Sequence, residues 1–302
     1  MEISGNALKK LGKKFRDNYY DEADIKLLEN YRNTHDELLV NKSLELDQSL
    51  RNQSISYLIS GRSKRINSII RKLQRPQNHG MDLSRVSDLV GIRIIVEDLP
   101  ALDKILQIIT NTICAETIYD YVKKPARSGY RSIHIIVKDG VKLVEIQLRT
   151  LYQHLWSTES ESFGEKVKEG SSNGPAREYL DSLAQACHKL DNNENVDEKD
   201  YSTTPYMLAR NPITGIHPYR KNLFLKVSAG IINSLADVTY IIIFDKNTGE
   251  STQQFEFKGS QRQAALETYS RYNDSLDTNK YDLLIINSPS REGIQVTHPK
   301  FF

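Results

Sequence analysis

The clearest pattern along the chain is a pair of runs rich in β-branched and apolar residues, 132–138 and 141–148, separated by Asp139-Gly140. An Asp-Gly connection between such runs predicts a hairpin, because a type I′ turn needs positive φ at both central positions. Pairing Lys138 with Val141 sets His134 opposite Glu145 and Ser132 opposite Gln147 on one face. Ile133–Ile146 and Ile135–Val144 then fill the other face. Directly opposed Cβ atoms lie roughly 4.5–5.5 Å apart, so this register makes His134 and Glu145 neighbours.

Upstream, residues 6–58 read as helical, with few breakers and the apolar spacing Leu8, Leu11, Phe15. Residues 61–75 also fit a helix. Lys64, Arg65, Ser68, Arg71, Lys72 and Arg75 share one face, while Ile66, Ile69, Ile70 and Leu73 form the opposite, core-facing stripe. A buried strand opened by Asp88 follows over 88–97, then a helix over 99–112 and a loop over 120–130. A helix starts at Thr150, with Thr150, Gln153, His154, Ser157 and Glu161 on its polar face and Trp156 assigned to packing.

The polar, acidic stretch 192–200 reads as a break. Beyond it, strands are expected over 223–227, 237–245, 253–257 and 281–287, with a turn at 247–249 and a helix over 261–272. The expected fold class is α+β, a mixed β-sheet core flanked by helices with a smaller C-terminal α/β domain. The boundaries read as an N-terminal helical region (1–58), a core domain (59–191), a linker (192–205) and a C-terminal domain (206–302). No internal repeat or low-complexity tract interrupts this order.

Composition narrows the class. In 302 residues, 26% charged and 38% hydrophobic, no run approaches the roughly 18 apolar residues of a membrane span. The N-terminus lacks an apolar signal core, so a cytoplasmic protein is expected. Cys114 and Cys187 have no metal-site spacing and give no disulfide framework. The net charge of +2 does not itself imply nucleic-acid binding, but six basic residues and no acid fall within 61–75. Such a face suits a polyanion, a triphosphate or an RNA, or is simply solvated. Lys9, Lys10, Lys13 and Lys14 make a second basic patch. The loop 120–130 joins cations, aromatics and glycine, a composition suited to gripping phosphates and stacking a base. His35-Asp36 has no accompanying His/Asp cluster and reads as a surface pair. Taken alone, the hairpin's His134 and Glu145 fit either a site or the solvated face of an edge hairpin.

Four motifs in order change that balance. Gly61-Arg62-x-Lys64 with Ser68 and Lys72, then 88–94 (DLVGIRI), then Asp120-Tyr121 with 129–134 (GYRSIH), then 145–150 (EIQLRT) resemble the synthetase domain of RelA/SpoT proteins over about 55–170. The resemblance implies transfer of the β,γ-pyrophosphate of ATP to a ribose 3′-hydroxyl, usually of GDP or GTP, giving (p)ppGpp. It implies Asp88 and Glu145 as Mg²⁺ ligands, with Glu145 also taking the hydroxyl proton. Arg62 and Arg93 would sandwich adenine, with Lys64, Ser68 and Lys72 on the ATP phosphates. Tyr130 would stack on the acceptor base, and His134 and Gln147 would line its phosphates or ribose. Lys123, Lys124 and Arg127 sit where the family's mobile acceptor loop lies, and His154 joins the acceptor set.

The form Gln153-His154-x-Trp156 is similar to toxic small alarmone synthetases of toxin–antitoxin and phage-defence systems. That widens the acceptor to the tRNA 3′-CCA end or to adenine nucleotides. A non-catalytic nucleotide sensor is the reading from another class. The C-terminal domain, lacking a catalytic set, is expected to regulate or to bind a partner such as an antitoxin or trigger protein.

Overall fold

In the computed structural model, the described residues are 3–196 and 238–298, apart from positions 52, 79, 162, 164, 172, 246, 247, 249, 278, 279 and 289. An eight-stranded mixed sheet runs through them in the order β3-β4-β5-β2-β1-β8-β6-β7. Its strands are β1 (Tyr57–Ser63), β2 (Val90–Val96), β3 (Ala115–Asp120), β4 (Ile133–Asp139), β5 (Lys142–Thr150), β6 (Val238–Asp245), β7 (Ser251–Lys258) and β8 (Tyr281–Ser288). Among the described residues only β2 and β5 pair in parallel; the other pairings are antiparallel.

The helices are α1 (Gly5–Arg16), α2 (Glu22–Asn33), α3 (Asp36–Arg51), α4 (Ile66–Gln74), α5 (Leu99–Thr112), α6 (Leu151–Ser160), α7 (Glu165–Lys168), α8 (Pro175–Asp191), α9 (Arg262–Ser275) and α10 (Arg291–Thr297). Period-two alternation divides the sheet. Ile59, Ile92, Ile94, Ile135, Ile146, Leu148, Ile241 and Ile285 pack with Leu39 and Leu46 of α3, Ile105 of α5 and Tyr269 of α9 in one core. On the other face, α10 brings Ile294 against Ile242, Phe244, Leu284 and Ile286. Leu155 and Trp156 of α6 pack with Tyr179 and Leu183 of α8. Leu8, Leu11 and Phe15 of α1 join Ile66, Ile69, Ile70 and Leu73 of α4, as their spacing predicts.

Several expectations are corrected. The hairpin turns at Gly140-Val141, because Asp139 pairs with Lys142 and Lys138 with Leu143. Gly140 has φ 58° and Val141 is not in the positive-φ region, the demand of a turn with glycine at its first central position. The shift is two residues, so the same side chains stay on the same face. His134 now pairs with Gln147, Ile133 with Leu148 and Ile135 with Ile146.

The expected helix over 61–75 begins only at Ile66; Gly61 and Arg62 end β1. Helical periodicity in the basic residues concealed a strand edge. Gly61 is required there, since a Cβ would lie 2.5 Å from Asn287 Oδ1 and 2.6 Å from Ser43 Oγ. Asp88 lies in the turn before β2 and does not open the strand, and β3 was not expected at all. His35 and Asp36 are buried, not a surface pair. His35 Nδ1 lies 3.1 Å from Tyr31 O, and burial pushes the imidazole pKa down to about 4.

The described part of the C-terminal region is not a separate layer. β8 joins β1 through Gly61↔Asn287 and Arg62↔Ile286, extending the core sheet. The expected strand at 223–227 and most of the proposed linker (197–205) lie outside the described residues, as do two positions of the turn at 247–249. Strands β6, β7 and β8 and helix α9 form close to their expected positions. Among the described residues, no helix is long and apolar enough to cross a membrane.

Candidate active site

Because β5 alternates, Val144, Ile146 and Leu148 enter the core while Glu145, Gln147 and Arg149 share the opposite face. Sheet register then brings distant residues into rows. Arg62, Gly91 and Glu145 are successive cross-strand neighbours over β1, β2 and β5. The next row is Ser60, Arg93, Gln147, His134 and Tyr119. Arg62, Lys64, Asp88, Gly91, Arg93, Glu145, Gln147 and His298 line one pocket with Ile92.

A closed ring of hydrogen bonds organises the β5 end. His134 Nδ1 is 3.1 Å from Glu145 Oε1, and His134 Nε2 is 2.6 Å from the Tyr130 hydroxyl. Arg149 donates to that hydroxyl at 2.7 Å and to Gln147 Oε1 at 2.8 Å. Gln147 Nε2 closes the ring on Glu145 Oε2 at 2.7 Å. Burial opposes charge on His134, but the hydrogen bond and charge of Glu145 win and raise its pKa to about 9. Burial likewise opposes ionisation of Glu145, yet the His134 hydrogen bond holds its pKa below the usual value. Histidine and glutamate therefore form an ion pair at neutral pH.

The opposite wall is set by α4, the residues just before it and the turn before β2. Lys64 Nζ lies 2.5 Å from Asp88 Oδ2, and Lys72 Nζ lies 2.9 Å from Asp88 Oδ1. Burial alone would raise the Asp88 pKa, but these two ammonium groups hold it well below the carboxylate range. Ser68 sits one turn before Lys72 on the same helix. Arg93 is pushed down to about 9 by burial and by the charges of Arg149 and Arg62. Arg62 is lowered chiefly by burial, with Arg149 adding to the effect. Guanidinium groups crowded this closely favour an incoming polyanion, which relieves their mutual repulsion.

The structure brings Arg62, Lys64, Asp88, Arg93, Glu145 and Gln147 to one pocket, with Lys72, His134 and Tyr130 bonded to its walls. Lys123, Lys124 and Arg127 are exposed on the loop after β3, where Asp120 Oδ1 accepts from the Val122 and Lys123 amides. His154 is instead held against α10, its Nε2 3.0 Å from Val296 O. Trp156 is a packing residue, buried and donating to Leu180 O at 2.8 Å.

Arg149, Lys168 and His298 were missed as site residues. Arg149 was legible, since it continues the alternation Glu145, Gln147. Lys168, lowered by burial with Arg149 and Arg62 adding to it, carries no local signal. Nor does His298, which arrives from the far end of the chain. Its Nδ1 lies 3.3 Å from Ser60 Oγ, and the preceding Thr297 carbonyl accepts from Arg93 at 2.6 Å.

Residues 61–166 match the model of the region found in RelA/SpoT proteins. The GTP pyrophosphokinase of Photobacterium angustum is 30% identical over 150 residues, which are 48% of this chain and 20% of that protein. GTP pyrophosphokinase YjbM of Bacillus subtilis is 29% identical over 147 residues, 44% of this chain and 67% of that protein. The chain spans about a fifth of the length of the long curated relatives it matches, 17% for a probable chloroplastic GTP diphosphokinase of Arabidopsis thaliana. The crystal structure of small alarmone synthetase 1 from Bacillus subtilis, bound to its product pppGpp, is 24% identical and covers 57% of this chain and 95% of that one, with a TM-score of 0.45. All the lining residues of the pocket except His298 fall within the stretch 61–166 that matches the region found in RelA/SpoT proteins.

Proposed function

We propose that this protein is an ATP-dependent pyrophosphokinase that moves the β,γ-pyrophosphate of ATP to the ribose 3′-hydroxyl of a guanine nucleotide, yielding (p)ppGpp and AMP. One observation carries the proposal: Asp88 and Glu145 are two ionised carboxylates on the wall of an otherwise cationic pocket inside the RelA/SpoT region. The names of the relatives favour guanine as the acceptor base.

In this reading Arg62 and Arg93 hold the adenine of ATP, and Lys64, Ser68 and Lys72 meet its phosphates. The acceptor's 3′-oxygen attacks the β-phosphorus, the bond from that phosphorus to the bridging oxygen of the α-phosphate breaks, and AMP leaves. The hydroxyl proton passes to Glu145, whose ring of partners fixes its carboxylate in place. Tyr130 stacks on the acceptor base, while Lys123, Lys124 and Arg127 steer its phosphates, with Gln147 and His134 beside the ribose. Fixed cations at the transferred phosphates stabilise charge that develops during transfer.

Asp88 and Glu145 suit Mg²⁺, which takes one or two protein carboxylates and draws its remaining oxygens from phosphates and water. Lys64 and Lys72 keep Asp88 in the ionised form that such a cation needs. The ion, when bound, supplies further charge neutralisation at the transferred phosphates.

A tRNA acceptor is the second reading. Lys9, Lys10 and Lys13 are exposed along α1 and would suit an acceptor stem, with growth arrest as the consequence. Adenine-nucleotide acceptors remain a variant of the same chemistry. The C-terminal segment is read as a restraint: the end of α10 occupies Arg93 through Thr297 O and His154 through Val296 O. A partner protein that draws α10 away would free Arg93 for the donor base.

The test is to incubate the protein with γ-labelled ATP and GDP, AMP or tRNA separately. Label on GDP supports the proposal, label on tRNA or AMP alone reassigns the acceptor, and ATP binding without any transfer supports a non-catalytic sensor.

A further inference from the structure

The backbone from Ser63 to Ile66, which carries Lys64 and begins α4, is clasped by residues far outside the matched region. Arg32 of α2 is fully buried, and its guanidinium donates to Lys64 O at 3.1 Å and to Asp282 Oδ1 at 3.1 Å. Asp282 of β8 accepts with its other oxygen from Ile66 N at 3.0 Å. Ile66 is the first residue of α4, and the preceding Arg65 gives that helix no side-chain cap. Unpaired amides at a helix start demand an acceptor, and a carboxylate there also meets the positive end of the helix dipole. Two more contacts hold the same stretch: Ser63 Oγ accepts from Ile285 N at 3.2 Å, and Arg65 lies 4.2 Å over the Phe244 ring.

We infer that Arg32 and Asp282 are positioning residues for the donor-phosphate cations, fixing Lys64 and the start of α4 through the backbone without touching substrate. The inference rests on the proposed ATP site. Its physical content is that α4 is capped in trans by a C-terminal strand, so the angle at which Ser68 and Lys72 enter the pocket depends on Asp282. Tyr269 of α9 joins the node, accepting from Arg32 at 3.2 Å and donating to Asn33 Oδ1 at 2.8 Å. The N-terminal helices and the C-terminal segment therefore meet at the backbone of the phosphate-binding helix.

The test measures binding of a non-hydrolysable ATP analogue and of GDP to the full chain, with the fold monitored by circular dichroism. Two variants are compared, Asp282→Asn and the pair Arg32→Met with Asp282→Asn. The pair removes the two charges of the Arg32–Asp282 ion pair together, so neither of those two is left buried without the other. ATP-analogue binding is expected to weaken about tenfold in the folded variants while GDP binding stays within roughly twofold, since small misplacement of positioned groups has large effects. Folded variants with unchanged ATP-analogue affinity, or with equal weakening of both ligands, overturn the inference. Loss of the fold in both variants assigns the pair to stability alone and overturns it as well. A wild-type chain that binds no ATP analogue defeats the proposed site itself, a result separate from any difference between variants.

Discussion

His134 Nδ1 lies 3.1 Å from Glu145 Oε1, although the two residues are diagonal, not directly opposed, across the β4–β5 ladder. The diagonal is bridged because Gln147, the true partner of His134, turns its amide to Glu145 Oε2 at 2.7 Å.

This pairing has a pH consequence. His134 has its folded pKa raised from 6.5 to about 9. Its contribution to stability is therefore fully present below about pH 6.5 and is lost as pH rises through about 9, on the order of 1–3 kcal/mol. Glu145 is depressed, so its contribution is lost at the acid end, as pH falls through its folded value. Urea unfolding between pH 6 and 10 should show the alkaline loss in the wild type and a flatter profile in His134→Gln. An equally steep loss in that variant would mean another group is responsible.

Glu145→Gln should reduce transfer by about 10²–10⁴-fold while leaving ATP binding largely intact, because the amide is nearly isosteric but takes no proton. Asp88→Asn should also remove activity, with partial recovery at raised Mg²⁺. Steady-state rates over a Mg²⁺ series check both, and turnover of Glu145→Gln within tenfold of wild type would refute its role.

Two substitutions separate the roles of Tyr130. Its hydroxyl belongs to the hydrogen-bond ring, whereas the proposed stacking uses the ring face. Tyr130→Phe should keep acceptor affinity and lower the His134 pKa. Tyr130→Ala should weaken the acceptor by roughly 1–3 kcal/mol and spare ATP. Calorimetric titration with GDP and an ATP analogue distinguishes them, and equal losses for both ligands in Tyr130→Ala would make the residue structural.

A chain ending at Gln295 should bind ATP several-fold more tightly. It keeps Ile294, which anchors α10 in the core, and removes the Val296 and Thr297 carbonyls from His154 and Arg93. Unchanged or weaker ATP binding would show that the end of α10 is no restraint. Ending the chain near residue 200 is a different experiment. It strips β8 from β1 and Asp282 from Ile66, so insolubility is the expected result.

That contrast shows what was readable in the residues. The alternation of β5, the stripe Ile66, Ile69, Ile70, Leu73 and the span of α5 follow from local periodicity, and each formed. The pocket's main residues were legible by a different route, the resemblance carried by four short motifs; the fold sets those residues on β1, β2, β5 and the turn before β2. The hairpin slipped by two residues because Gly140-Val141 satisfies a turn as well as Asp139-Gly140, and a two-residue slip leaves the faces unchanged. The attachment of β8 to β1, the trans cap from Asp282 and the arrival of His298 join residues more than two hundred positions apart. No local pattern encodes such pairings. The acidic stretch after 192 suggested a boundary because its composition is polar, but composition does not say whether the chain returns to the same sheet.

The central claim is transfer of a pyrophosphoryl group, and β-labelled ATP tests it most directly. With GDP as acceptor, the account predicts label in the guanine nucleotide and unlabelled AMP as the other product, both lost in Glu145→Gln. Label retained in ADP would mean transfer of a single phosphoryl group and would contradict the account.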